Sequence, residues 1–191
     1  MNTLSQTCIA LCCSSALFLT GCQHFTQPQL PKSTQESENQ FNLQGKIGVR
    51  TPQQTGSAFF TWAQQQQNFD IELTGILGMG KTQIQGKNGK VTLNSAKTGL
   101  ITASSPEELL ERATGWQAPI THIISWVQAR PATTQAQTTQ DANGRINHIQ
   151  EDDWNVDLSY DAEQKLPNKL ILKQTLEDNK ENRITMVIQN R

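Results

Sequence analysis

Hydrophobic and polar residues alternate along most of the chain after residue 40. The clearest case is the run of Trp154, Val156, Leu158 and Tyr160, with polar residues between them. This period of two is typical of β-strands that bury one face. The same pattern predicts about ten strands, around residues 41–49, 57–62, 69–73, 84, 91–93, 100–102, 146–148, 154–160, 170–172 and 184–188. The turn-forming stretches at 51–56, 64–68 and 88–89 are short, which favours antiparallel neighbours.

One segment interrupts the strands with helical signals. Ser105 is an expected N-cap, Pro106 stands at the first helical position, Glu108 completes a capping box and Gly115 can end the helix. A second helix is expected from about Pro119, because residues 120, 123, 124 and 127 are apolar at helical spacing. The pattern predicts a mostly β chain whose apolar sheet face is buried by curling of the sheet, by the helices, or by both.

Residues 75–82 match the phosphate-loop pattern G-x-x-x-x-G-K-[ST]. A phosphate loop needs a strand before it and a helix after it, so that the helix N-terminus faces the phosphates. The run 69–73 supplies a strand. Residues 83–90 alternate, however, and contain Gly86 and Asn88-Gly89, which predicts a second strand and a turn. The sequence therefore disfavours a nucleotide site.

The same segment carries three large apolar residues, Ile76, Leu77 and Met79, between glycines. One interpretation is a hairpin tip whose side chains fold back onto the core. The other is a tip with at least one apolar side chain exposed to lipid or to a partner, since exposed apolar clusters usually mark interaction sites. These residues alone leave both interpretations open.

The beginning of the chain has the features of a secretory signal peptide over residues 1–21. It contains no charged side chain, and its apolar stretch at 8–20 is too short to span a bilayer. The stretch ends in Leu-Thr-Gly-Cys at 19–22, which resembles the lipobox of bacterial lipoproteins. By that resemblance, Cys22 becomes the lipidated N-terminus after cleavage. The alternative is a simple secretory peptide in which Cys22 has no such role.

Residues 22–40 are expected to join the lipid to the domain. The stretch after Cys22 is polar and contains Pro28 and Pro31, as a flexible tether does. Gln23 stands where an Asp tends to retain lipoproteins of enteric bacteria in the inner membrane. By resemblance to that rule, the protein is expected at the outer membrane.

The composition of the domain argues against several kinds of functional site. All four cysteines lie at position 22 or before, so the domain is expected to fold without a disulfide and to have no thiol nucleophile. The net charge of −1 and the absence of a basic stripe argue against a nucleic-acid partner. His24, His122 and His148 have no metal-ligand spacing. We therefore expect no enzyme activity, no cofactor and no metal.

The order and spacing of short motifs are similar to those of the LolB family, the outer-membrane lipoproteins that receive other lipoproteins from the periplasmic carrier LolA. The resemblance covers nearly all of the region 41–191, which is expected to be a LolB-like lipoprotein-binding domain. It implies an unclosed antiparallel half-barrel of about ten or eleven strands, with a helical lid that encloses an apolar cavity. The motifs are Phe41-x-Leu43-x-Gly45-Lys46-Ile47, Phe60-x-Trp62, Leu73-x-x-x-Leu77-Gly78, Ser105-Pro106-Glu107-x-Leu109-Leu110, Gly115-Trp116-x-x-Pro119, Trp126-Val127, Trp154-x-Val156 and Leu166-Pro167.

The resemblance also implies a function in lipoprotein transfer that involves no chemical reaction. A monomer would be held by its own lipid on the periplasmic face of the outer membrane of a Gram-negative bacterium. It would accept the acyl chains of substrate lipoproteins from LolA and insert the lipoproteins into that membrane. The family's protruding loop aligns with Leu77, so that Leu77, with Ile76 and Met79, is expected to serve delivery.

We expect the cavity near five apolar side chains: Phe60, Trp62, Ile123, Ile124 and Val127. The alternative is that these residues fill a closed core. At the level of function, the alternative is a lipid-binding or structural envelope lipoprotein without a carrier partner. A soluble carrier of the LolA type shares the fold but lacks the lipobox.

Overall fold

The computed structural model describes residues 39–75 and 80–191. Over these ranges the chain forms eleven β-strands and two α-helices, with a 3-10 turn at Glu177–Asn179. The helices are α1 (Pro106–Thr114) and α2 (Ile120–Trp126), between the sixth and seventh strands. The strands are β1 (Gln40–Arg50), β2 (Thr55–Gln65), β3 (Asn68–Thr74), β4 (Lys81–Lys87), β5 (Lys90–Ser95), β6 (Gly99–Ala103), β7 (Gln137–Gln140), β8 (Ile146–Glu151), β9 (Trp154–Ser159), β10 (Lys169–Thr175) and β11 (Glu181–Asn190).

All these strands belong to one antiparallel sheet. Their order is β6-β5-β4-β3-β2-β1-β11-β10-β9-β8-β7, so the first and last strands of the domain pair at its middle. The strands β6 and β7 form the two edges and do not pair with each other in the described part of the chain, which leaves the sheet unclosed. The predicted fold class, a mostly β half-barrel with helices on one face, is confirmed.

Helix α1 has the caps that the sequence predicts. The Ser105 hydroxyl accepts a hydrogen bond from the backbone N–H of Glu108 at 3.1 Å, and Pro106 begins the helix. The Glu108 carboxylate accepts from the N–H of Ser104 at 2.8 Å, one residue earlier than the usual capping box. Gly115 ends the helix in the left-handed conformation, with φ of 72°.

Helix α2 is short and receives its N-terminal cap from α1. Pro119 precedes it and offers no side-chain cap of its own. Instead, the Glu107 carboxylate accepts hydrogen bonds from the backbone N–H and the hydroxyl of Thr121, at 2.8 and 2.9 Å. This acidic cap on the positive end of α2 joins the two helices into one lid.

The sequence pattern missed one strand, and one predicted turn is wrong. Strand β7 has no buried residue, so it shows no alternation in the sequence; it forms because it pairs with β8. Residues 64–68 are not a loop, since β2 continues to Gln65 and only Gln66 and Gln67 form the turn. Gln64 is buried because Trp62 Nε1 donates to its Oε1 at 2.9 Å and its own Nε2 donates to the carbonyl of Gln66.

The segment that matches a phosphate loop connects two antiparallel strands. Strand β4 begins at Lys81 and pairs with β3, with Thr74 opposite Lys81. The N–H of Gly75 donates to the carbonyl of Gly80 at 3.3 Å across the base of the connection. A strand thus stands where a phosphate loop requires the N-terminus of a helix.

Candidate functional site

Two clusters of buried apolar side chains lie between the sheet and the helices. The larger cluster joins β1, β2 and β8–β11 to α2, and includes Trp126, Val156 and Leu172. The smaller one joins β5 and β6 to α1, and consists of Val91, Leu93, Ala103 and Leu109. Many apolar side chains on β3, on β4 and in the lid are only half-buried. Their free surfaces face a cavity.

The cavity has a volume of about 430 Å³ and lies between the lid and the strands. This volume is within the range of about 300–1,000 Å³ that is usual for sites that bind small molecules. Its wall is predominantly hydrocarbon. The apolar side chains that line it are Ile47, Val49, Phe60, Trp62, Phe69, Ile71, Leu73, Ile84, Leu93, Pro106, Leu109, Leu110, Ala113, Trp116, Ile120, Ile123, Ile184 and Met186.

The polar residues of the wall lie mostly at one end of the cavity. Gln54 belongs to the β1–β2 turn and Ser57 follows it, while Ser95 ends β5 and Lys97 and Thr98 belong to the β5–β6 turn. Because the strands alternate in direction, these two turns lie at the same end of the sheet. Lys97 and Thr98 are exposed, so the cavity reaches the surface there. We call this end the mouth.

The connection between β3 and β4 lies at the mouth too. Leu73 and Thr82, the inward residues nearest to it on each strand, line the cavity. Gly75 and Gly80 have φ of 84° and 47°, a region that favours glycine. Residues 76–79, which include the predicted delivery residues Ile76, Leu77 and Met79, lie outside the described residues, as does Cys22.

The five residues predicted near a cavity have different surroundings. Phe60, Trp62 and Ile123 line the cavity just described. Ile124 lines a second, smaller cavity of about 260 Å³. Val127 is fully buried in the larger core cluster and does not line either cavity. That these residues hold acyl chains stays a prediction.

Sequence reasoning missed much of the cavity wall. Ile71, Leu73 and Ile84 lie opposite or next to the predicted residues, because Trp62 pairs with Ile71 and Ile71 pairs with Ile84. The alternating pattern placed Ile71 and Leu73 on the apolar face of a strand. It contains no signal that this part of the face meets a cavity and other parts meet packed side chains.

A buried carboxylate fastens the lid to the sheet. Glu151, at the end of β8, is 2% exposed and lies beneath α2. Its Oε2 accepts from Trp126 Nε1 at 2.7 Å and from the N–H of Ala132 at 3.0 Å, and its Oε1 accepts from the N–H of Thr133. Burial by itself would raise the pKa of Glu151, but the hydrogen bonds from Ala132, Thr133 and Trp126 together lower it below its usual value. The carboxylate is therefore ionised and holds α2 with the segment that follows.

The end of the chain holds the same helix from the other side. The Arg191 guanidinium donates to the carbonyls of Val127 and Pro167 at 2.7 and 2.6 Å. Val127 follows the last residue of α2, so a positive charge lies at the negative end of the helix. The C-terminal end of α2 is thus fixed at two places, whereas its N-terminus is attached to α1.

Within residues 39–75 and 80–191, no group of three or more His, Cys, Asp and Glu side chains is arranged to hold a metal ion. His122 packs edge-on against Trp126, with ring centroids 5.6 Å apart, and its Nδ1 lies 3.5 Å from Asp152. Over the same residues, none of the helices combines the length and the hydropathy that a membrane-spanning helix needs.

Comparison with known proteins agrees with this geometry. The model of the family described as outer membrane lipoprotein LolB matches residues 39–190. A protein named outer-membrane lipoprotein LolB from Pseudomonas paraeruginosa (strain DSM 24068 / PA7) is 32% identical over 178 residues, covering 85% of this chain and 87% of its own. Proteins of the same name from Stutzerimonas stutzeri (strain A1501) and Pseudomonas putida (strain KT2440) are 37% identical, over 70% and 74% of this chain.

Proposed function

The chain belongs to the LolB family of outer-membrane lipoproteins, and from that premise we propose that it is a receptor which accepts lipoproteins from the periplasmic carrier LolA. It binds their acyl chains in the cavity beneath the lid and inserts the lipoproteins into the outer membrane. It does so as a monomer, without catalysis and without a cofactor. The observation that carries this proposal is the open apolar cavity of about 430 Å³ inside a domain of this family.

The physical reason for such a cavity is the hydrophobic effect. Each CH₂ group that is removed from water contributes about 0.8 kcal/mol, so an acyl chain cannot cross the periplasm uncovered. A wall of half-buried hydrocarbon gives the chain an apolar environment, and the polar residues at the mouth leave its head in water. Transfer then requires the carrier's cavity and this mouth to meet, and its direction follows from tighter binding at each step.

The position of the β3–β4 connection supports a role for its apolar residues in delivery. The connection lies at the mouth, where a bound acyl chain leaves the cavity. Leu77, assisted by Ile76 and Met79, would enter the apolar boundary of the membrane and open a path for the chain. A leucine enters that boundary at little cost, whereas a charged side chain does not.

Cys22 would carry the lipid that keeps the receptor on the periplasmic face of the outer membrane. Residues 23–40 would then let the domain move between the carrier and the membrane. The substitution Cys22→Ser should abolish incorporation of a palmitate analogue, measured by metabolic labelling. Labelling equal to that of the wild type would rule out this anchor.

The cavity is tested by a polar substitution inside it. Leu73→Gln places an amide in the wall, and the already half-buried site should tolerate it without unfolding. Thr61→Gln is the matched control, since Thr61 is exposed and lies on the neighbouring strand with the opposite orientation. Transfer of a radiolabelled lipoprotein from purified carrier should fall for Leu73→Gln and not for Thr61→Gln.

Two results would contradict the proposal. Equal transfer to both variants would show that the cavity does not receive the acyl chains. Binding of apolar probes by the wild type without any transfer from the carrier would favour a lipid-binding envelope lipoprotein that has no carrier partner.

A further inference from the structure

The second cavity lies at the end of the strands opposite to the mouth. Its volume is about 260 Å³, and it reaches the β2–β3 and β4–β5 turns through Gln66 and Gly89. Its inner wall is apolar, and five residues line both cavities: Trp62, Phe69, Ile71, Pro106 and Ile120. The two spaces are therefore neighbouring compartments with a shared wall of side chains.

Strand register divides the inward residues of β2–β5 into three rows from the mouth to the opposite end. Row one, with Phe60, Leu73, Thr82 and Ser95, contains two hydroxyl groups. Row two is wholly apolar and consists of Trp62, Ile71, Ile84 and Leu93. Row three consists of Gln64, Phe69, Gly86 and Val91. The main cavity extends along rows one and two as far as Phe69 of row three, and the second cavity extends from Trp62 and Ile71 of row two along row three.

The distance between the rows matches the length of an acyl chain. Row one and row three are four residues apart, which is about 13 Å at about 3.3 Å per residue. The hydrocarbon core of a bilayer is about 30 Å thick, so the chains of one leaflet extend about 15 Å. A chain whose polar end lies among the hydroxyls of row one would therefore bring its methyl end to row three.

The Phe69 side chain of row three lies where the two cavities adjoin. The Phe69 ring lies against Gly86 on the neighbouring strand, and a Cβ at position 86 would lie 2.2 Å from its Cε1. Strand β4 is paired on both sides, so its backbone cannot retreat. Any side chain at position 86 would push the ring into the space that the two cavities share. The absence of a side chain at Gly86 thus lets the Phe69 ring lie against β4.

We propose that the second cavity is the deep end of the acyl-chain site, and that Phe69, seated on Gly86, sets the longest chain that the site accepts. This inference rests on the proposed function. It adds a limit on chain length that the main cavity alone does not define. Chains that end before row three would be bound without any contribution from Gly86.

The experiment measures how affinity depends on chain length. Saturated acyl chains of about eight to about eighteen carbons on one neutral glycerol headgroup would displace a fluorescent apolar dye from the purified domain. Each further buried CH₂ raises the affinity by up to roughly fourfold, the equivalent of about 0.8 kcal/mol. For the wild type, the affinity should rise until the chain fills row three and then stay constant.

Gly86→Ala should move this limit to shorter chains. We expect the affinity for the longest probe to fall by about tenfold, the loss of roughly two buried CH₂ groups. The affinity for the shortest probe should stay within about twofold, as for a surface substitution. Gly48→Ala is the matched control, because the nearest atom to a Cβ at Gly48 is 4.0 Å away. Phe69→Ala removes the ring and should move the limit to longer chains.

The outcomes separate this inference from the function on which it rests. An equal loss at every chain length in Gly86→Ala, or a limit unchanged in both Gly86→Ala and Phe69→Ala, would overturn the chain-length role while leaving an acyl-binding receptor intact. If Gly86→Ala does not fold, the shift of the limit in Phe69→Ala decides. If the wild type binds no probe of any length, the proposed function fails and this inference fails with it.

Discussion

Strands β3 and β10 have the same length and a similar alternation, but their inward side chains have different surroundings. Both have seven residues and both are paired on two sides. Leu170 and Leu172 of β10 are fully buried in the larger core cluster. Phe69, Ile71 and Leu73 of β3 are only half-buried and line the cavity.

The contrast shows how one sheet forms both a packed core and an open cavity. The strands β8–β11 meet Trp126 and Val127, which fill the space under their side of the lid. The inward side chains of β3 and β4 pack only in part against these clusters, and the space between them and the lid stays open. Apolar surface that is left uncovered lowers stability, and a bound acyl chain would recover that loss.

The contrast between β3 and β10 is tested most directly by truncating one leucine on each strand. Leu172→Ala leaves a void in a packed core and should lower the free energy of unfolding by about 3 kcal/mol. Leu73→Ala enlarges a space that is already open. We therefore expect the free energy of unfolding to fall by about 1 kcal/mol, because only part of the leucine side chain is removed from water on folding. Urea denaturation of both variants measures the difference. Equal losses would mean that β3 packs as tightly as β10.

The next largest effect on stability is expected at Glu151, which attaches the lid to strand β8. Glu151→Gln turns an amide N–H₂ toward backbone and indole donors, and we expect it to destabilise the domain by about 2 kcal/mol at neutral pH. Glu163→Gln is the control, because Glu163 is exposed in a turn. Thermal and urea unfolding measure both. A loss no larger than that of the control would show that Glu151 does not hold the lid.

The same carboxylate predicts part of the acid sensitivity. The folded-state pKa of Glu151 lies below its value in the unfolded chain, near 4.5. Its contribution to stability is therefore fully present above that unfolded value and is lost as the pH falls through the folded pKa. The difference in unfolding free energy between the wild type and Glu151→Gln should shrink over this window. A constant difference from neutral pH to pH 3 would contradict the linkage.

The smallest effect on stability is expected for a substitution in the β3–β4 connection. The same substitution should strongly reduce delivery of lipoproteins to membranes. Leu77→Glu should change the free energy of unfolding by less than about 0.5 kcal/mol if the side chain is exposed. The variant should still accept lipoprotein from the carrier but deliver it poorly to liposomes, because a carboxylate does not enter the apolar boundary. Ala142→Glu, in an exposed turn, is the charge-matched control. Severe unfolding or unimpaired delivery would contradict this role of the loop.

The alternating pattern was sufficient for most of the sheet, and particular residues show where it was not. The pattern does not predict strand β7, because Gln137–Gln140 are all exposed and the strand is defined by its backbone pairing with β8. The glutamine-rich run that contains Gln64 is typical of a turn, yet Gln64 lies inward and accepts a hydrogen bond from Trp62. In the first case backbone pairing with a neighbouring strand, and in the second hydrogen bonds to Trp62 and Gln66, override the local preference.

The sequence by itself determined most of the residues that face inward, the caps of α1, and the family to which the chain belongs. Ser105, Pro106 and Gly115 act on their immediate neighbours, so their effects can be deduced locally. The tertiary structure alone decided that Leu172 meets other side chains and Leu73 meets a cavity. It also decided that Glu151 lies beneath Trp126 and that the Phe69 ring rests on Gly86. These relations depend on how strongly the sheet curves and where the lid rests on it, and no period along the chain encodes either.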